Sequence, residues 1–386
     1  MPTPGLRLLR LTLTDFRNYR TLAWRPAGHI AVLFGPNGSG KTNLLEAISL
    51  LVPGRGLRGA RIADFARRGP DSAGAWAVAA RLATPDGETD IGTGTPPDGP
   101  AERRIFRIDG MPPRSQAEVA ARVAAVWLTP QMDRLFQEGA AGRRRFLDRL
   151  AFALEPAHAR EVAAHDTALA GRNRLLATGH ADAAWLAGLE DAMARHAVAV
   201  TAARATLAAR LNAALAAGAA SPFPAARLGL LCPIAERLES GPALAAEDWL
   251  RSALAANRAR DAAAGSAQVG AHRADMALAD AASGLAAEHA STGQQKALLI
   301  GVVLGHAALL AEARGFAPLL LLDEPTVHLD AEHRAALSAA LLRLPAQSFL
   351  TSADREAFLP LRGRAEALRV ADGSLAHDSG FDVPTA

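Results

Sequence analysis

The chain has 386 residues, a formal charge of +3 and a single cysteine, Cys232, which excludes an internal disulfide and argues against a thiolate metal cluster. Half of the residues are apolar yet only 5% are aromatic; alanine and leucine fill the gap, as in a helix-rich globular protein of more than one lobe. Of the 42 basic residues only Lys41 and Lys296 are lysines, and so many arginines permit phosphate contacts without establishing them, because a GC-rich genome gives the same bias.

The opening LRLLRLTLTDFRNYR alternates apolar and polar positions and predicts a half-buried strand at the start of an α/β core. Arg7, Arg10, Arg17 and Arg20 interrupt it, so it is no signal peptide, and a cytoplasmic protein is expected. HIAVLFGPNGSGKTNLLEAISLLV then reads as strand, glycine turn and helix. Within it Gly35, Pro36, Asn37, Gly38, Ser39, Gly40, Lys41 and Thr42 fit the phosphate-loop pattern, with the apolar strand before and the helix after that the pattern requires. Its glycines let the backbone wrap phosphates, Lys41 reaches the outer phosphates, and the Thr42 hydroxyl suits magnesium.

From Trp76 to Asp109 the runs AWAVAARL and RRIFRID, separated by the turn-rich TPDGETDIGTGTPPDGPA, predict a small antiparallel sheet. From about Arg143 to Asp261 alanine-rich helical segments follow, broken once by SPFPAARLGLLCPIA. They are too short for long coiled-coil arms and predict a compact helical lobe. The α/β grammar resumes after Gly284. The apolar stretch from Ala297 to Leu310, interrupted by His306, is shorter than a bilayer span and predicts a buried helix. PLLLLDEP and QSFLTSAD predict two further strands, and the residues from about Asp372 a frayed tail. The expected division is a discontinuous nucleotide lobe, 1–135 with 270–386, around a helical second lobe, 136–269.

The run Leu319 to Leu322 ends in Asp323 and Glu324, two carboxylates at the tip of a buried parallel strand. Asp323 is expected to hold Mg2+ together with Thr42, and Glu324 to act as general base on the attacking water, with Lys41 completing the catalytic set. Ser291, Thr292 and Gly293 stand before the long apolar helix, where a hydroxyl and a glycine N–H form a second anion site or an ordinary helix cap.

Phosphate loop, acidic strand and helix tip together resemble the ABC ATPase superfamily. The resemblance implies that Ser291, Gly293 and Gln294 are signature positions contacting the γ-phosphate held by an opposing subunit. It implies as well that the turn Val327, His328, Leu329 and Asp330 reaches the dimer interface through Asp330, and that Gln131 senses nucleotide. A position near Thr351 and Ser352 corresponds to the switch that touches the γ-phosphate. LTLTDFRNYR, FGPNGSGKTNLLEAI, RRRFLDRL, GAHRADM and STGQQKALLIG narrow the match to the RecF family over nearly the whole chain. The family implies an α/β fold: a P-loop ABC-type ATPase head with an antiparallel β subdomain and an inserted helical lobe. It further implies ATP with Mg2+, an ATP-dependent homodimer, slow hydrolysis, binding to double-stranded or gapped DNA irrespective of sequence, and work with RecO, RecR and RecA rather than at a membrane.

Asp323-Glu324-Pro325-Thr326 departs from the family's usual paired aspartates and resembles transporter-type ABC proteins, so an ATP-driven transporter subunit is the alternative. The long separation of Thr42 from Ser291 argues against it. For DNA the candidates are Arg55, Arg58, Arg61, Arg67, Arg68, Arg143, Arg144 and Arg145, against a solvated or ion-paired face.

Overall fold

The computed structural model describes residues 5–69, 74–96, 99–179 and 182–381. The first stretch holds β1 (Arg7–Phe16), β2 (Tyr19–Trp24), β3 (Ile30–Phe34), α1 (Lys41–Ser49), β4 (Ala77–Thr84), β5 (Gly87–Gly94), β6 (Ile105–Ile108), α2 (Gln116–Arg122) and β7 (Ala125–Leu128). The middle holds α3 (Ala140–Leu154), α4 (His158–Ala177), α5 (Ala183–Ala216), β8 (Ala226–Leu231), α6 (Pro233–Ser240), α7 (Ala243–Ala256), α8 (Arg258–Ala264) and β9 (Asp275–Asp280). The last holds α9 (Thr292–Arg314), β10 (Leu319–Leu322), α10 (Ala331–Arg343), β11 (Ser348–Ser352), β12 (Glu366–Ala371) and β13 (Ser374–His377). The chain divides into two compact units, one of Met1–Arg134, Ala214–Ala225 and Ala290–Ala386, the other of Leu135–Ala213 and Ala226–His289.

The first unit contains both large sheets. A five-stranded antiparallel sheet runs in the order β2-β1-β4-β5-β6. The opening strand belongs here: it pairs with β2 through a tight turn at Arg17 and Asn18 and with β4 on its other side. One face of it is buried through Leu8, Leu11, Leu13 and Phe16, the half-buried pattern of an antiparallel strand. β5 lies inside the stretch read as turn. Its buried side chains are those of Thr89, Ile91 and Thr93, so apolar alternation is hidden by threonines whose branched side chains still favour a strand. Residues 97–98 of that stretch lie outside the described residues.

The second sheet has the order β13-β12-β3-β11-β10-β7. β7, β10, β11, β3 and β12 are mutually parallel, and β13 joins β12 antiparallel at the edge. β10 is four leucines at 0% exposure, as expected of a central strand covered on both faces. The expected frayed tail is ordered through β13 to Phe381, which is 1% exposed; its residues 382–386 lie outside the described residues. α9 is long and apolar enough to cross a bilayer by length and composition, but 83% of its apolar window is buried in the protein, as in a core helix.

The second unit is helical apart from β8 and β9, an antiparallel pair that the proline-broken segment did not reveal. Its core interleaves Met193, Ala194, Ala197 and Val198 of α5 with Ile234, Leu250 and Leu254. Alanines at these positions allow close helix approach, which explains the composition. Arg172, at 0% exposure, is compensated by Glu190 at 3.0 Å, Asp261 at 2.8 Å and the Leu254 carbonyl. The sole cysteine, Cys232, is buried in the same core.

Two histidines in this unit set an acid sensitivity. The rings of His165 and His272 lie 5.5 Å apart, near Asp166, His196, Arg204, Arg273 and Arg144. Burial lowers both pKa values, that of His272 to about 4 despite its bond to the Ala267 carbonyl. Between about 4 and the ordinary 6.5 the unfolded chain therefore binds more protons than the folded one, so stability present above that window is lost as the pH falls through it. Urea midpoints at pH 7 and pH 5 should show this loss in the wild type and a smaller one in His272→Gln. An equal loss in both removes His272 from the account.

Candidate nucleotide site

The parallel sheet brings the expected residues together. Register pairs Leu322 with both Leu128 and Leu350, and Ser352 with Phe34. The carboxyl ends of β3, β11, β10 and β7 consequently open on one edge, where ligands bind in parallel sheets. From those ends emerge the phosphate loop, Thr351 and Ser352, Asp323 and Glu324, and the turn bearing Gln131.

The phosphate loop is shaped by three left-handed glycines, Gly35 at φ 148°, Gly38 at 82° and Gly40 at 109°. A Cβ at Gly40 would sit 2.4 Å from the Asn18 side chain, and one at Gly35 would sit 2.5 Å from the Val370 carbonyl. Both sites admit glycine alone. Gly40 starts α1 with no side-chain cap, so the first N–H groups of the helix face an incoming anion. Lys41 is 4% exposed, and its ammonium donates to the carbonyls of Gly35 at 2.7 Å and Pro36 at 3.0 Å. Burial lowers its pKa from the ordinary lysine value, opposed by the Glu324 and Asp323 carboxylates. Pro36, Asn37 and Ser39 complete the loop between β3 and α1.

Asp323 is the hub. Its Oδ1 accepts from the Thr42 hydroxyl at 2.8 Å and from the Thr351 hydroxyl at 2.7 Å. Thr351 in turn accepts the backbone N–H of Glu324 at 2.9 Å. Thr351, 0% exposed, thus engages its hydroxyl with the acidic strand, and the Ser352 hydroxyl accepts from the Asp354 N–H. Glu324 lies at φ 48°, a left-handed conformation uncommon outside glycine and frequent where strain serves a site. Its side chain is half-buried.

Ser291 caps α9 in a reciprocal capping box: its hydroxyl accepts the Gln294 N–H, and the Gln294 side chain accepts the Ser291 N–H. Both residues are exposed, and among the described residues neither they nor Gly293 bond to the phosphate loop of the same chain. A Cβ at Gly293 would lie 2.9 Å from the His328 carbonyl, so that glycine seats the helix tip against the turn after β10. Asp330 in that turn is exposed and caps α10, accepting from the His333 N–H at 2.8 Å. Gln131 is exposed on the 3-10 turn Pro130–Arg134.

Composition held unread signals. Tyr19, the chain's one tyrosine, is fully buried and donates its hydroxyl to the Gly40 carbonyl at 3.0 Å. Asn18 donates to the Ser39 carbonyl at 3.2 Å, so the β1–β2 turn clamps the phosphate loop. Lys296, one of two lysines, is 1% exposed and reaches Asp133 and the Glu324 carbonyl.

Four of the eight arginines considered for DNA are internally engaged, and Arg68 makes only an exposed surface pair. Arg58 pairs with buried Glu46 at 2.6 Å, Arg67 with Asp15 at 2.7 Å, Arg143 with Asp275 at 2.7 Å and Arg68 with Asp64 at 3.5 Å. Arg144 donates to the Ala274 carbonyl. Arg55, Arg61 and Arg145 are exposed and have no such bond among the described residues.

Residues 7–363 match the family described as RecF/RecN/SMC N terminal domain. A DNA replication and repair protein RecF of Mesorhizobium japonicum is 47% identical over 369 residues, 95% of this chain and 96% of that protein. One of Caulobacter vibrioides is 46% identical over 380 residues, 95% of this chain and 97% of its own. The solved structure of the recombination mediator protein RecF-ATPrS of the RecFOR pathway superposes with a TM-score of 0.83 at 21% identity, covering 97% of this chain and 99% of that one. At that identity the superposition speaks for the fold, an ABC-type ATPase head, while the sequence relatives speak for the lineage: the chain belongs to the RecF family.

Proposed function

We propose that this protein is an ATP-dependent, DNA-binding recombination mediator of DNA replication and repair, in which ATP joins two copies on DNA and slow hydrolysis releases them. The observation that carries the reading is the 2.8 Å bond from Thr42 to Asp323. It closes a phosphate loop against an acidic strand tip, and the pair of oxygens suits a hard cation arriving with nucleotide phosphates. Thr42 and Asp323 would hold Mg2+, which supplies charge neutralisation at the phosphates. Lys41 would exchange loop carbonyls for phosphate oxygens, and Glu324 would take the proton of the attacking water.

The exposed signature tip of Ser291, Gly293 and Gln294 supports pairing, since it makes no bond to its own phosphate loop and is free for the triphosphate of a twin. Asp330 and Gln131 are proposed at the same junction. A nucleotide shared by two surfaces makes association depend on the third phosphate. The expected partners are gapped or double-stranded DNA, RecO, RecR and RecA, with Arg55, Arg61 and Arg145 the arginines free to touch phosphate. The transporter alternative is disfavoured by family membership.

Light scattering of the purified protein at low salt should show the mass doubling with ATP but not ADP, and a further complex with gapped duplex. DNA binding should weaken steeply as salt rises. A protein of unchanged mass with ATP and DNA present would sink the pairing model.

A further inference from the structure

We infer that Lys296 is a positioning residue for hydrolysis, holding the backbone of Glu324 to the signature helix; the inference rests on the reading of Glu324 as the base. The Lys296 ammonium lies 3.1 Å from Asp133 Oδ2 and 3.1 Å from the Glu324 carbonyl oxygen. The first contact is charge compensation, which a buried ammonium requires. The second goes to the one residue of the acidic strand tip whose backbone sits at φ 48°.

Glu324 is thereby gripped at both ends. Its N–H donates to Thr351 Oγ1 at 2.9 Å and its carbonyl accepts from Lys296. A left-handed non-glycine residue persists only where its surroundings over-determine it, and a charge-assisted bond is the stronger kind of restraint. With both peptide groups fixed, the direction in which the side chain leaves the backbone is fixed too.

Lys296 is carried by α9, whose first turn is the signature tip at Ser291. A shift of that tip on meeting a nucleotide is therefore felt at the Glu324 carbonyl. Asp133, two residues beyond Gln131, has its other oxygen, Oδ1, buried without a hydrogen-bond partner among the described residues, so Lys296 is its compensation. One ammonium thus joins the signature helix, the turn bearing Gln131 and the acidic strand.

Composition adds an independent argument. Of the 42 lysines and arginines of this chain all but two are arginine, and the two lysines, Lys41 and Lys296, are both buried at this one site. A guanidinium is a planar fork, whereas an ammonium is a compact point charge with three donors free to turn toward a carboxylate and a carbonyl at once.

Lys296→Met alone strands the Asp133 carboxylate and risks the fold, so the decisive variant is Lys296→Met with Asp133→Ala, which removes both charges. Steady-state ATPase, affinity for a fluorescent ADP analogue and thermal midpoint are measured beside Glu324→Gln. The double variant is expected to keep its midpoint, nucleotide affinity and KM while kcat falls about 10- to 100-fold, the scale of a small displacement of a catalytic group. If kcat in the double variant equals that of the wild type while Glu324→Gln is inactive, Lys296 serves only to neutralise Asp133 and the inference is overturned alone. If Glu324→Gln hydrolyses ATP normally, the base assignment falls and takes the inference with it.

Discussion

Replacing Glu324 by Gln is expected to lower ATP turnover by about 10²- to 10⁴-fold, the usual contribution of a general base, while leaving an ATP-bound dimer that persists. Glutamine matches the size of glutamate, so the left-handed backbone at φ 48° and its bonds to Thr351 and Lys296 remain. What is lost is the proton acceptor. The substitution also removes a negative charge close to Lys41, one of the two carboxylates felt by its ammonium, and so relieves repulsion toward the incoming phosphates. Nucleotide affinity should hold or rise as turnover falls. Single-turnover hydrolysis with light scattering on the same sample checks both halves. A variant that turns over at the wild-type rate, or stays monomeric with ATP, would defeat the assignment of Glu324.

The site was more legible than the sheet that carries part of it. Each half of the candidate nucleotide site is a local motif: Gly35 to Thr42 needs only a strand before and a helix after, and Asp323 and Glu324 need only four leucines before them. Short-range patterns of that kind survive in a linear sequence. The pairing partners of β1 do not, because nothing in LRLLRLTLTDF says whether its neighbour is β3 or β4. β5 was hidden for another reason, its buried positions being partly threonines in a glycine-rich run, and β8 because its partner β9 lies far along the chain. Thr351 illustrates the same limit. The strand that holds it was predictable from QSFLTSAD, but the bond that commits its hydroxyl to Asp323 depends on β11 lying between β3 and β10, an order that only the assembled sheet reveals. Arg58, Arg67 and Arg143 were candidates for phosphate weighed against an ion-paired face, and the ion-paired face holds: each meets a carboxylate well separated in sequence.

Lys41→Met is expected to weaken ATP binding by roughly 30-fold or more, the effect of truncating one partner of a buried charge pair, and to abolish ATP-driven pairing. Methionine approximates the length of lysine and fills the same space between loop and strand. The carbonyls of Gly35 and Pro36 lose their donor, however, and incoming phosphates would face Asp323 and Glu324 with no ammonium between them. Lys41→Arg should fail nearly as badly, since a planar guanidinium does not fit a position that is 4% exposed and bonded to two loop carbonyls. Titration with a fluorescent ATP analogue measures the loss, and thermal midpoints without nucleotide show whether the fold is intact. If either variant binds ATP as tightly as the wild type while retaining its fold, Lys41 does not hold the triphosphate, and the phosphate loop must be read as a structural turn that only resembles a nucleotide cradle.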